Sequence, residues 1–198
     1  MTKGYTLPNK LRLIFDHLRA LRTLNDYVKG SMEADMQSLT NHVVRELNRD
    51  VLRPNGWEDL QSDQGCLWSR PRDKRAWQVV PDDNLALQIY LAWPVYDDSD
   101  TDTNIDLYVP EGWEQRQEFL DSLTAPPGFT HVRDCDESVE VDDTTSMIKF
   151  LSYEDFADAG GPFNVDHFID ALRDDTKTLV GWQGEIDKCL ERISKRTA

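Results

Sequence analysis

The hydrophobic pattern of this chain changes period twice, and that change constrains the fold more than any other feature. Leu11, Ile14, Leu18, Leu21 and Val28 recur at helical spacing, with Phe15 and Leu24 widening the stripe. Pro8 suits the first turn of such a helix and Gly30 its end. Ser31, followed by acidic Glu33 and Asp35, then opens a second helix whose face of Met36, Leu39, Val43, Leu47 and Val51 runs to Pro54. Residues 1–53 are therefore expected to form an N-terminal helical hairpin. Its first, heptad-like stripe is suited either to packing against the rest of the chain or to a homodimer through that helix.

From Trp57 the period falls toward two, and apolar, β-branched and aromatic runs alternate with Asp, Asn, Gly and Pro clusters. Strands are expected at 66–69, 76–80, 85–93, 105–109, 129–133, 138–141 and 147–152. A short helix at 111–123, stopped by Pro126-Pro127-Gly128, interrupts them. The helical period returns at Asn164, an expected N-cap, with Asp166, Phe168, Ile169 and Leu172 behind it. Leu179, Ile186, Leu190 and Ile193 continue the stripe, and Gly181 and Gly184 mark a break. The expected fold class is α+β: an antiparallel meander sheet of about five to seven strands packed against N-terminal and C-terminal helices. Residues 54–198 form the α+β part, and the hairpin joins it in one compact unit. At 198 residues, with 39% hydrophobic residues, such a chain can bury a core.

Charge narrows the class of partner. The chain carries −15 overall, which opposes direct binding to nucleic acid or to an anionic membrane. Residues 1–30 hold six Lys or Arg against two Asp, whereas residues 82–143 hold seventeen Asp or Glu against Arg116 and Arg133. Nearly the whole excess lies in that second block. No apolar run approaches the roughly 20 residues of a membrane span, and no signal-peptide pattern opens the chain, so a cytoplasmic location is expected. Cys66, Cys135 and Cys189, odd in number and widely spaced, read as reduced thiols in the core.

Local signatures of catalysis are incomplete. A metal-dependent nuclease site needs an acid followed by an acid-x-lysine on the next strand, because two carboxylates hold the metal and the lysine orients water. Asp82 opens such a pattern, but Gln88 and Tyr90 stand where the second acid and the lysine belong. Asp98, Asp100 and Asp102 alternate like the early ligands of a calcium loop, yet Thr103 replaces its glycine and Val109 its terminal glutamate. His131 lies near Cys135 in sequence, and a thiol-imidazole pair there requires the strand to run on. No phosphate-binding glycine loop and no nucleophile elbow occurs. Arg70, Arg72, Lys74 and Arg75 lie between Trp68 and Trp77, a combination used by single-strand nucleic-acid grooves. The plainer reading is a basic hairpin loop, or an internal partner for the acidic strands.

The acidic block carries the functional expectation. On extended chain, alternate carboxylates stand roughly 6.6 to 6.8 Å apart, near twice the phosphate step of a nucleic-acid strand. The expected function is a non-enzymatic acidic binding protein that docks on a basic surface of another protein, such as a nucleic-acid-binding complex. Its sharpest form is a phage-type, anti-defence inhibitor that mimics nucleic acid. The residues expected to meet the partner are Asp97, Asp98, Asp100, Asp102, Asp106, Glu140, Asp142 and Asp143, with Tyr96 and Trp113 as aromatic anchors. No cofactor or metal is expected. Two alternatives stand: a chaperone or immunity-type partner of a basic effector, and a metal-dependent enzyme of nuclease-like fold whose site assembles only in the folded chain.

Overall fold

The computed structural model describes residues 18–63, 66–73, 75–91, 102–135, 144–156 and 163–197. The chain divides into two units, Met1–Asn41 and His42–Ala198. In the first, α1 (Leu18–Gly30) exposes nearly all its described side chains, Leu18 and Leu24 among them. The helix α2 (Met32–Leu47) follows after Ser31, with Glu33 and Asp35 in its first turn where the helix dipole favours negative charge. Met32 and Met36 are buried.

The second unit begins within α2, where Val43 and Leu47 are fully buried. The helix then widens into a π turn over Asn48–Leu52 and tightens into a 3-10 turn over Arg53–Asn55. Pro54 sits at the start of that last turn, where its missing N–H costs nothing. Gly56, at φ 75°, closes it in the left-handed conformation glycine tolerates best. Asn48 is buried, and its Oδ1 accepts the Leu60 N–H at 2.9 Å, which pins the chain leading to the first strand.

Among the described residues six strands form one antiparallel sheet in the order β1-β2-β3-β4-β6-β5. They are β1 (Gln61–Asp63), β2 (Cys66–Ser69), β3 (Ala86–Tyr90), β4 (Asp102–Tyr108), β5 (Thr130–His131) and β6 (Thr145–Ser152). The first four follow one another as a meander. The connection from β4 carries the helix α3 (Arg116–Ser122), and β5 then takes the outer edge, leaving β6 to pair with β4.

Because strand side chains alternate, the register sorts the sheet into two faces. Leu67, Leu87, Ile89, Ile105, Leu107 and Leu151 share one face and are buried. The helix α4 (Val165–Gly181) packs on that side through Phe168, Leu172 and Leu179, and Lys149 of β6 reaches Asp175 of α4 at 2.5 Å. Asn164 caps α4 as expected, its side chain accepting the His167 N–H at 3.0 Å. The break near Gly181 is present too: α5 (Gln183–Thr197) starts after Trp182 and buries Ile186, Cys189 and Ile193. Each large apolar side chain buried in this way contributes about 1.5 to 3 kcal/mol.

The α+β class, the antiparallel sheet and its flanking helices agree with the sequence. Several details do not. The strand expected at 76–80 is instead a 3-10 turn, Arg75–Trp77, with an isolated bridge at Val80. Trp77 turns fully inward there, its indole N–H donating to Asp187 Oδ1 at 2.9 Å. The strand β1 escaped the sequence reading because Gln61, Ser62 and Asp63 show no apolar alternation and join by backbone pairing alone. The strand expected at 129–133 shortens to two residues before a 3-10 turn, and that expected at 138–141 lies outside the described residues.

Candidate binding face

The second face of the sheet carries Cys66 and Trp68 from β2, Ala86, Gln88 and Tyr90 from β3, Asn104, Asp106 and Tyr108 from β4, and Ile148 and Phe150 from β6. It is polar and aromatic where the first is aliphatic. Most of these side chains are half-buried, and Phe150 is exposed.

At one end of this face lies a cleft of about 480 Å³, lined by Glu58, Trp68, Arg70, Asp83, Ala86 and Tyr108 among others. The pairing of Ala86 with Tyr108 places the smallest side chain of β3 beside the tyrosine, so a hollow forms where a longer residue would fill it. Trp68 meets Tyr108 edge to face, with ring centroids 4.9 Å apart. The Tyr108 hydroxyl donates to Asp83 Oδ2 at 2.6 Å, and the Asn84 N–H donates to Asp83 Oδ1 at 2.8 Å. Two donors therefore hold the Asp83 carboxylate against the aromatic pair. Across the cleft, Arg70 Nε lies 3.1 Å from Glu58 Oε2. The Ser69 hydroxyl donates to the Glu58 carbonyl at 2.7 Å and ties that segment to β2.

Of the ten residues expected to meet a partner, Tyr96, Asp97, Asp98, Asp100, Glu140, Asp142 and Asp143 lie outside the described residues. Asp102 is the first residue of β4, paired with Ser152. Asp106 stands mid-strand on the second face, but it is only 3% exposed and offers no carboxylate to a partner. Trp113 is 8% exposed and packs on Phe119 at 5.2 Å, so it is no surface anchor. Trp113 is covered by Phe119, and Asp106 lies between its cross-strand neighbours Gln88 and Ile148. The sequence reading missed Asp83, Trp68 and Tyr108 as a group, because only the strand register brings them together.

Two cations of the basic island, Arg70 and Arg72, form internal pairs, and Lys74 lies outside the described residues. Arg70 meets Glu58, and Arg72 lies 4.0 Å from Asp59, which Arg53 also holds at 2.7 Å. Those hydrogen bonds from Arg53 keep the Asp59 carboxyl below its ordinary range. Trp68 and Trp77 face opposite ways and form no shared stacking groove: the first lines the cleft, while the second is fully buried against Trp57.

His131 is buried and both ring nitrogens are engaged, Nδ1 accepting from the Arg133 N–H at 3.3 Å and Nε2 lying 3.0 Å from the Leu120 carbonyl. That pattern assigns the proton to Nε2. The Cys135 thiol points to the His131 carbonyl at 3.8 Å, so no thiol-imidazole pair forms. Burial pushes the Cys135 and Cys189 thiols up, away from reactive thiolates. Lys149 is engaged with Asp175. Among the described residues no group of three or more His, Cys, Asp or Glu side chains is placed to hold a metal ion, and no helix is long and apolar enough to cross a membrane. No protein-family model, curated protein or solved structure matches the chain.

Proposed function

We propose that this chain is a non-enzymatic acidic binding protein, which docks the second face of its sheet and the acidic stretches 97–104 and 136–143 on a basic surface of another protein. One observation carries this reading: the described cations are largely engaged by acids outside the acidic block. Arg49 and Arg173 share Glu46 and Asp50, Arg53 and Arg72 share Asp59, Arg70 takes Glu58, and Lys149 takes Asp175. Within residues 82–143 the described ion pairs are few: Arg133 with Asp121 and Asp134, and Arg196 with Glu118. Among the described residues Asp82, Asp83, Glu111 and Glu114 of that block form no ion pair and keep their charge for solvent or for a partner.

The sharpest form of the proposal remains a nucleic-acid mimic acting on a nucleic-acid-binding complex, supported by the alternating carboxylates Asp98, Asp100 and Asp102. An immunity-type or chaperone partner of a basic effector uses the same surface chemistry. The exposed Leu18 and Leu24 on α1 support a homodimer through that helix as a separate contact.

The test is a pull-down on the immobilised chain, eluted with rising salt. Between 0.1 M and 1 M salt the screening length falls from about 10 to about 3 Å, so a basic partner held by charge elutes within that range. Reversal of Asp98, Asp100 and Asp102 to Lys should abolish its capture. A partner retained unchanged by the triple variant refutes the role given to those carboxylates.

A further inference from the structure

We infer that the cleft beside Trp68 and Tyr108 receives an arginine side chain from the basic partner. The inference rests on the docking proposal and names its point of insertion. Its chemistry follows from three features found together. An aromatic face attracts a cation through its ring quadrupole, and a planar guanidinium can stack on it. Asp83 sits against that aromatic pair as a carboxylate held by two donors, yet a carboxylate has about four lone-pair sites, so it still accepts from an incoming guanidinium. Third, no cation pairs with Asp83 among the described residues, whereas the neighbouring Glu58 already holds Arg70.

The cleft therefore contains one arginine–carboxylate pair and one carboxylate ready for a second. Glu58 and Asp83 against Arg70 leave it anionic, and the −15 of the whole chain raises the local concentration of cations around it. An anionic guest would meet Arg70, but also both carboxylates and the repulsion of the whole chain. Ala86 at the floor leaves the room, and the rings of Trp68 and Tyr108 exclude water from one side of the guest.

The experiment uses the full chain and an acetylated, amidated peptide of alternating arginine and glycine, with citrulline, lysine and glutamate counterparts. Affinity is measured by calorimetry, and the indole N–H resonance of Trp68 reports the site. The arginine peptide should shift that resonance and bind more tightly than the lysine peptide, while the citrulline and glutamate peptides should leave it unmoved. Asp83→Asn, and separately Ala86→Leu to fill the hollow, should each weaken arginine binding about tenfold, equivalent to about 1.4 kcal/mol. Glu154→Gln, an exposed acid on a distant turn, should change it less than about twofold. Circular dichroism verifies that each variant is folded, and Asp83→Asn carries the test if Ala86→Leu is not. Equal affinity for the citrulline peptide, or full affinity in Asp83→Asn, overturns the inference. If arginine binding is lost on reversing Asp98, Asp100 and Asp102 but survives both cleft substitutions, docking stands and the cleft assignment falls. If the arginine peptide does not bind at all, both fall.

Discussion

Replacing Asp187 with alanine strands the indole N–H of Trp77 inside the protein. Trp77 is fully buried, and its N–H donates to Asp187 Oδ1 at 2.9 Å. The other oxygen, Oδ2, accepts a longer bond from Gln183 Nε2 at 3.4 Å, and Gln183 Oε1 in turn accepts the Trp57 indole N–H at 2.9 Å. Two tryptophans in edge-to-face contact, 5.4 Å between centroids, thus fix the first turns of α5 through adjacent polar side chains. A buried donor left without its acceptor costs about 1 to 3 kcal/mol, and the acceptor here is charged, so about 2 kcal/mol is expected. For a chain of 198 residues that corresponds to a fall of about 4 to 8 °C in melting temperature. Asp187→Asn keeps an acceptor in place and should cost about 1 kcal/mol or less. Urea unfolding followed by far-ultraviolet circular dichroism measures both, together with Trp77→Phe and the double variant. In the Trp77→Phe background the donor is gone, so Asp187→Ala should cost at least about 1 kcal/mol less than in the parent. A loss below about 0.5 kcal/mol for Asp187→Ala, or no coupling with Trp77→Phe, refutes this account of how α5 is anchored.

Three further expectations follow from the same contacts. Removing the Asn164 side chain in Asn164→Ala should destabilise the protein by about 1 kcal/mol in urea unfolding, while Asn164→Asp, also a good cap, should be nearly neutral. Lys149→Met leaves Asp175, only 8% exposed, without its cation. Lys149 is itself part-exposed, so the loss should be about 2 kcal/mol, below the 3 to 5 of a fully buried pair, and less in Lys149→Met combined with Asp175→Leu. Hydrogen bonds from Arg49 to Asp50 and from Arg53 to Asp59 lower both carboxyls below the ordinary 3.8. Their stabilisation is present above that value and is lost as pH falls through the depressed folded values, so Asp50→Asn with Asp59→Asn should flatten the fall of the urea midpoint below about pH 4.

The helices were legible because their signals are local. The stripe and acidic first turn of α2, the Asn164 cap of α4 and the Gly181 break all act within a few residues of themselves. Central strands were legible for the same reason: β3 and β4 alternate buried aliphatic residues with polar ones. Edges were not, since Gln61–Asp63 and Thr130–His131 are strands only because a neighbour offers its backbone. Trp77 defeated the period-two reading because a tertiary hydrogen bond to α5, 110 residues away, draws it into a turn. Alternation also does not reveal how far neighbouring strands enclose a side chain, so Asp106, between Gln88 and Ile148 on the face away from α4, read as surface although it is buried. The cleft was least legible of all: Asp83, Ala86 and Tyr108 meet only through the β3–β4 register and the turn that precedes it.

The claim on which the functional account depends is that the carboxylates of residues 82–143 meet cations on another protein. Its most direct test is equilibrium competition, in which a basic nucleic-acid-binding protein loaded with fluorescent duplex DNA is titrated with the chain at several salt concentrations. The account predicts that the chain displaces the DNA, that displacement weakens steeply as salt rises, and that the triple reversal of Asp98, Asp100 and Asp102 abolishes it. Displacement that is indifferent to salt and to the reversals, or its absence at the lowest salt across a panel of such proteins, would contradict it.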